Sequence, residues 1–155
     1  MGPVKRPRIY ADTSVFGGCF DAKFSVASRQ FFREVQAGRF VIVISGVTTR
    51  ELQEAPEYVR EILVQLPEDQ IEEIEIDDEA TALRDAYLAA GVVGPASAAD
   101  AEHIAAATIA EVDMVVSWNF KHIVHFDKIR GFNGVNSLKG YRALEIYSPV
   151  EVVEL

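Results

Sequence analysis

Five consecutive apolar residues, Phe40-Val41-Ile42-Val43-Ile44, constrain this chain more than any other feature. A strand with one wet face alternates apolar and polar side chains. An unbroken, β-branched run instead belongs to a strand covered on both faces, which points to a parallel sheet. Shorter strands are expected at Arg8–Ala11, at Met114–Ser117 and at Leu144–Tyr147, before Pro149. Ile71–Ile76 carries three glutamates and predicts an edge strand. Helical spacing fills the intervals. It runs over 25–35 towards a stop at Gly38, over 48–54 up to Pro56, and over 57–66 up to Pro67. Two further helices are expected, Asp78–Ala90 closed by Gly91 and the alanine-rich Ala98–Ala110. This β–α alternation predicts an α/β three-layer sandwich, a mostly parallel central sheet flanked by helices. At 155 residues the chain is expected to form a single domain over 1–155.

Composition removes several function classes. One cysteine, Cys19, excludes an internal disulfide and a cysteine-based zinc site. The longest charge-free stretch, 86–99, is too short to span a membrane and holds Gly91, Gly94 and Pro95. The start, MGPVKRPRIYAD, has a basic region without an adequate apolar run after it, and Arg6 stands where a myristoylation signal needs Ser or Thr. A soluble, cytoplasmic protein without membrane attachment is the expectation. The net charge of −9 is unevenly spread. Residues 1–50 hold eight Lys/Arg against three Asp/Glu, residues 51–116 two against seventeen, and residues 117–155 five against four. Most of the central acids read as solvated helix faces. A few of them converging in space would need cations.

In a parallel sheet, ligands bind beyond the carboxyl ends of the strands. Asp12-Thr13-Ser14 follows the first strand, Ser45 to Glu51 the second, and Ser117-Trp118-Asn119 the fourth. Asp100 opens the helix that leads into the fourth strand, so it can sit at the same edge. The fold can therefore gather Asp12, Glu51, Asp100 and Asn119. Crowded carboxylates take up protons unless a cation shares the site. Oxygen donors select hard ions, here Mg²⁺ or Mn²⁺. Each residue also has a structural reading. Asp12 and Asn119 suit turns or caps, and Thr48-Thr49-Arg50-Glu51 and Ser97-Ala98-Ala99-Asp100 both fit a capping box. Gly17-Gly18 lacks the spacing of a phosphate-binding loop.

Four segments in order resemble the PIN-domain family, specifically its VapC-like toxins. They are Ile9–Ser14, Ser45–Leu52, Ala99–Ala107 and Val115–Asn119. The tail from Gly140-Tyr141 to Glu151-Val152 resembles the usual end of one branch. The resemblance implies a PIN-like fold and a Mg²⁺- or Mn²⁺-dependent ribonuclease that leaves a 5′-phosphate and a 3′-hydroxyl. It implies metal-binding acids at Asp12, Glu51 and Asp100, supported by hydroxyls at Thr13, Ser14 and Ser117. It also implies an RNA substrate, a homodimer and a cognate antitoxin. Asn119 stands where many relatives carry a fourth Asp, so a second metal is in doubt.

His103 lies three residues after Asp100, on the same helix face, with a packing role or a water near the metal as its options. Lys121, His122, Lys128 and Arg130 form a cationic stretch after Asn119 that suits either an RNA backbone or plain solvent. Trp118 suits packing or base stacking. The alternative function is a PIN-like module that binds protein without catalysis. A phosphatase built on Asp12-Thr13-Ser14 is disfavoured, since that chemistry needs a second Asp where Ser14 stands.

Overall fold

The computed structural model describes residues 6–154. Its elements alternate as the apolar runs predict. Strands β1 (Arg8–Ala11), β2 (Val41–Ser45), β3 (Ile71–Ile74), β4 (Met114–Val116) and β5 (Ile146–Tyr147) form one sheet in the order β3-β2-β1-β4-β5. Every pairing is parallel, so the sheet is wholly rather than mostly parallel. Helices α1 (Thr13–Gly18), α2 (Ser25–Gln36), α3 (Gly46–Glu54), α4 (Glu57–Val64), α5 (Asp78–Ala89), α6 (Ala98–Ile109), α7 (Phe126–Leu138) and α8 (Pro149–Val152) supply the connections and the two outer layers. The readings placed on residues 1–5 lie outside the described residues. Among the described residues no helix is long and apolar enough to cross a membrane.

The sheet separates two apolar cores. Tyr10, Val43 and Val115 face α5, α6 and α7, with Tyr87, Ile104 and Phe132 filling that side. Ile9, Ala11, Ile42, Ile44 and Val116 face the other way, against Phe16, Phe31, Phe32 and Leu52. Strand side chains alternate faces. Because both faces are covered, the run around Val43 shows no polar break.

Several element bounds differ from the sequence reading for local reasons. Helix α3 starts at Gly46 because Ser45 caps it: Ser45 Oγ accepts from Val47 N, and Thr48 Oγ1 accepts from Ser45 N. Strand β3 stops at Ile74, which pairs with Ser45, the last residue of β2. The Leu144 backbone is bonded to the Asn133 side chain at 2.7 and 3.1 Å instead of to a strand, so β5 is only two residues long. Three helices, α1, α7 and α8, are additions to the reading. Helix α1 is short and ends in two glycines, α7 holds Gly131 and Gly134, and α8 depends on a Ser148–Glu151 capping box behind Pro149. All three are weak in propensity.

Candidate active site

Polar side chains from the carboxyl ends of β1 and β4, from α3 and from the start of α6 meet at one end of the sheet. Asp12 occupies the step from β1 into α1, yet its side chain makes no helix cap. Its Oδ1 accepts from Ser14 Oγ at 2.5 Å and its Oδ2 from Ser117 Oγ at 2.8 Å. Those hydroxyls are themselves fixed. Ser14 Oγ accepts from Trp118 N and Ser117 Oγ from Asn119 N, each at 2.9 Å. Asp12 is only 4% exposed. Burial pushes its carboxyl above the ordinary range, and the Asp100 charge adds to this. His103 and the two serines pull the other way.

Glu51 lies within α3, and neither proposed capping box forms. The box belongs to Ser45 and Thr48, which leaves Glu51 free, and Ser97 makes no side-chain cap on α6, which leaves Asp100 free. Glu51 Oε1 accepts from Thr13 Oγ1 at 2.9 Å and from His103 Nε2 at 2.5 Å. Burial opposes the Glu51 charge, but His103, Thr13 and Arg50 together hold its carboxyl below the usual value.

His103 is 2% exposed. Burial opposes its charge, but Tyr10, Glu51 and Asp12 outweigh that and raise it to about 10. Its Nε2 donates to Glu51 Oε1, and its Nδ1 shares a hydrogen bond with the Tyr10 hydroxyl at 2.6 Å. Tyr10 in turn reaches Ser45 Oγ at 2.7 Å. Tyr10 and Ser45 lie in the segments quoted from the sequence, but the sequence reading gives neither a role of its own. The available signal was parity: Tyr10 lies two residues before Asp12, on the same face of the strand.

Asp100 sits in the first turn of α6, half-buried. Burial raises its carboxyl and Glu51 adds to this, while His103, His122 and Asn119 lower it. Asp12, Glu51 and Asp100 thus lie within one electrostatic neighbourhood. Among the described residues, however, no group of three or more His, Cys, Asp or Glu is packed as a preformed metal cluster. Asn119 Oδ1 is spent on the backbone N–H groups of Lys121 and His122, at 3.2 and 2.9 Å, so its amide nitrogen is the end left for Asp100.

The cationic stretch is divided in its roles. Lys121 and Arg130 are exposed, with the Arg130 guanidinium 5.4 Å from the Phe126 ring centre. Lys128 donates its ammonium to the Val92 carbonyl at 2.9 Å, which ties it to the fold. His122 is partly buried, and its Nδ1 has no partner among the described residues.

No protein-family model matches the chain, and no curated protein sequence matches it. The architecture is that of solved structures. FitAcB from Neisseria gonorrhoeae superposes with a TM-score of 0.59 at 14% identity, over 92% of this chain and 98% of that one. VapBC2 from Rickettsia felis, bound to a DNA fragment from their promoter, superposes with a TM-score of 0.55 at 14% identity, over 91% of this chain and 98% of that one. The chain has the α/β fold of these proteins.

Proposed function

We propose that this chain is a divalent-metal-dependent endoribonuclease acting as the toxin of a toxin–antitoxin pair. One observation carries the reading. Beyond the strand ends the Asp100 charge acts on Asp12 and the Glu51 charge acts on Asp100, and burial raises both aspartate carboxyls. Their charge lacks full compensation from the protein, and an added cation would supply it. The donors are oxygens, which fits Mg²⁺ or Mn²⁺. Asp12 and Asp100 would hold the ion, with Glu51 beside them. When bound, such an ion supplies charge neutralisation at a phosphodiester and a more nucleophilic water.

The protein's own groups prepare the site. Ser14 and Ser117 fix both oxygens of Asp12. His103 and Thr13 fix Glu51. Tyr10 fixes His103. The fold shared with VapBC2 and the resemblance in the four segments support a toxin with a cognate antitoxin over the site and a homodimeric assembly.

A second reading, a PIN-like module that binds protein without catalysis, is favoured by the oxygens already in use. Asn119 Oδ1 serves two backbone amides and Glu51 is paired with His103. Thermal melts with Mn²⁺ separate the two readings. Mn²⁺ at a hundredfold excess over its Kd should raise Tm by roughly 5–10 °C, and Mn²⁺ should support cleavage of RNA. Asp12→Asn and Asp100→Asn should abolish cleavage. Wild-type-like cleavage by both variants overturns the ribonuclease reading, and no Mn²⁺ stabilisation favours the binding module.

A further inference from the structure

Beside the acids lies a hollow of about 380 Å³, within the roughly 300–1,000 Å³ of ordinary small-ligand pockets. Ser14 and Asn119 form the wall it shares with the acidic site. Gly17, Gly18, Asp21, Phe24 and Trp118 form the rest. The two glycines do opposite things. A Cβ on Gly18 would stand 2.6 Å from Ser28 Oγ and from Trp118 Nε1, so only glycine lets the indole lie against α1. There Trp118 donates Nε1–H to Ser28 Oγ at 2.7 Å. A Cβ on Gly17 would meet nothing within 4 Å, so this residue leaves the hollow open.

The aromatic wall is stacked: Trp118 is buried beneath Phe24, and the partly exposed Phe24 ring is the one that borders the hollow. Phe24 lies on Trp118 with ring centres 4.2 Å apart and planes 16° from parallel. Phe120, 47% exposed, stands 6.3 Å from Phe24. Cations border these rings. Lys23 Nζ is 5.5 Å from the Phe24 centre, and exposed Lys121 follows Phe120 directly. Asp21 accepts from Lys23 N through one oxygen and offers further acceptor capacity at the edge. A flat π-system on an anionic backbone matches these features together. Bases stack on aromatic side chains, while lysines follow the phosphates.

We infer that this hollow seats a nucleobase of single-stranded RNA, beside the phosphodiester presented to Asp12 and Asp100. The inference rests on the ribonuclease reading and adds to it a base-stacking subsite that fixes the strand's position.

Trp118 is the chain's one tryptophan, so its fluorescence reports on this wall directly. The experiment titrates the Asp100→Asn protein, with Mg²⁺ and so without RNA breakdown, with a short oligoadenylate and with an abasic ribose-phosphate oligomer of equal length. Oligoadenylate should quench Trp118 and bind roughly five- to hundredfold more tightly than the abasic strand. Gly17→Leu, placed in the same background, should erase most of that difference and leave abasic binding unchanged. Equal quenching and affinity for the two strands overturns the inference. So does unchanged oligoadenylate binding by a folded Gly17→Leu protein. The wild-type cleavage assay is read separately. Base-dependent quenching without Mn²⁺-dependent cleavage leaves the subsite standing and sinks the ribonuclease. Cleavage with base-independent binding does the reverse.

Discussion

At the scale of single residues, the site holds charges of opposite tendency. Asp100 is raised in the fold, so its charged form is disfavoured there relative to the unfolded chain. The metal-free protein should therefore gain stability as pH falls through the folded value, and Asp100→Asn should raise the metal-free Tm at neutral pH. Each kcal/mol of relieved desolvation corresponds to roughly 2–4 °C in a chain of this size. The same variant should lose the Mn²⁺-induced shift, and differential scanning calorimetry with and without Mn²⁺ reads both effects. His103 has the opposite sign. Its folded value of about 10 lies above the ordinary 6.5, so its contribution is complete below the ordinary value and is lost as pH rises through the folded one. Stability should fall between about pH 6.5 and 10, and His103→Gln should flatten that slope in urea melts followed by circular dichroism. Asp12 and Asp100 were legible singly in the sequence because one follows a strand and the other lies at the start of a helix, while Glu51 stood out by lying in the segment after the second strand. Their partners were not. Nothing local to Tyr10 shows that its hydroxyl meets an imidazole 93 positions away.

At the scale of elements, helix α7 shows why some segments escape a sequence reading. Gly131 and Gly134 lower its propensity, and its role depends on what packs against it. A Cβ on Gly131 would stand 2.8 Å from Val92 Cγ1 and 3.2 Å from Val92 Cγ2. Gly131→Ala would gain about 1 kcal/mol of helix propensity elsewhere. Here overpacking should outweigh it, for a net loss of about 1–2 kcal/mol. Val92→Ala should relieve the clash, making the double variant more stable than additivity predicts, and chemical denaturation of the four proteins measures that coupling. Helix α3 gives the complementary case. Ser45 and Thr48 close its start, two residues before the periodic apolar pattern begins. A capping sequence is legible, but which of two overlapping boxes forms is decided by where the preceding strand stops.

At the scale of the whole molecule, the parallel sheet orders stability from centre to edge. Strand β1 lies between β2 and β4 with both faces buried, whereas β5 is two residues long and forms one edge. Native-state hydrogen exchange should therefore place the slowest amides at Ile9–Ala11, exchanging only through global unfolding. Those of Ile146 and Tyr147 should exchange through local opening at lower free energy. Apolar runs, glycine and proline stops and β-branched content by themselves determined the layer architecture, the parallel sense and the succession of most elements, because each depends on side chains within a few positions of one another. Where the strands lie side by side, the His103 bridge between Glu51 and Tyr10, the aromatic wall of Phe24 on Trp118 and the open space over Gly17 were decided only by the tertiary structure. These depend on long-range packing, in which one strand's end sets what another element's side chain can reach.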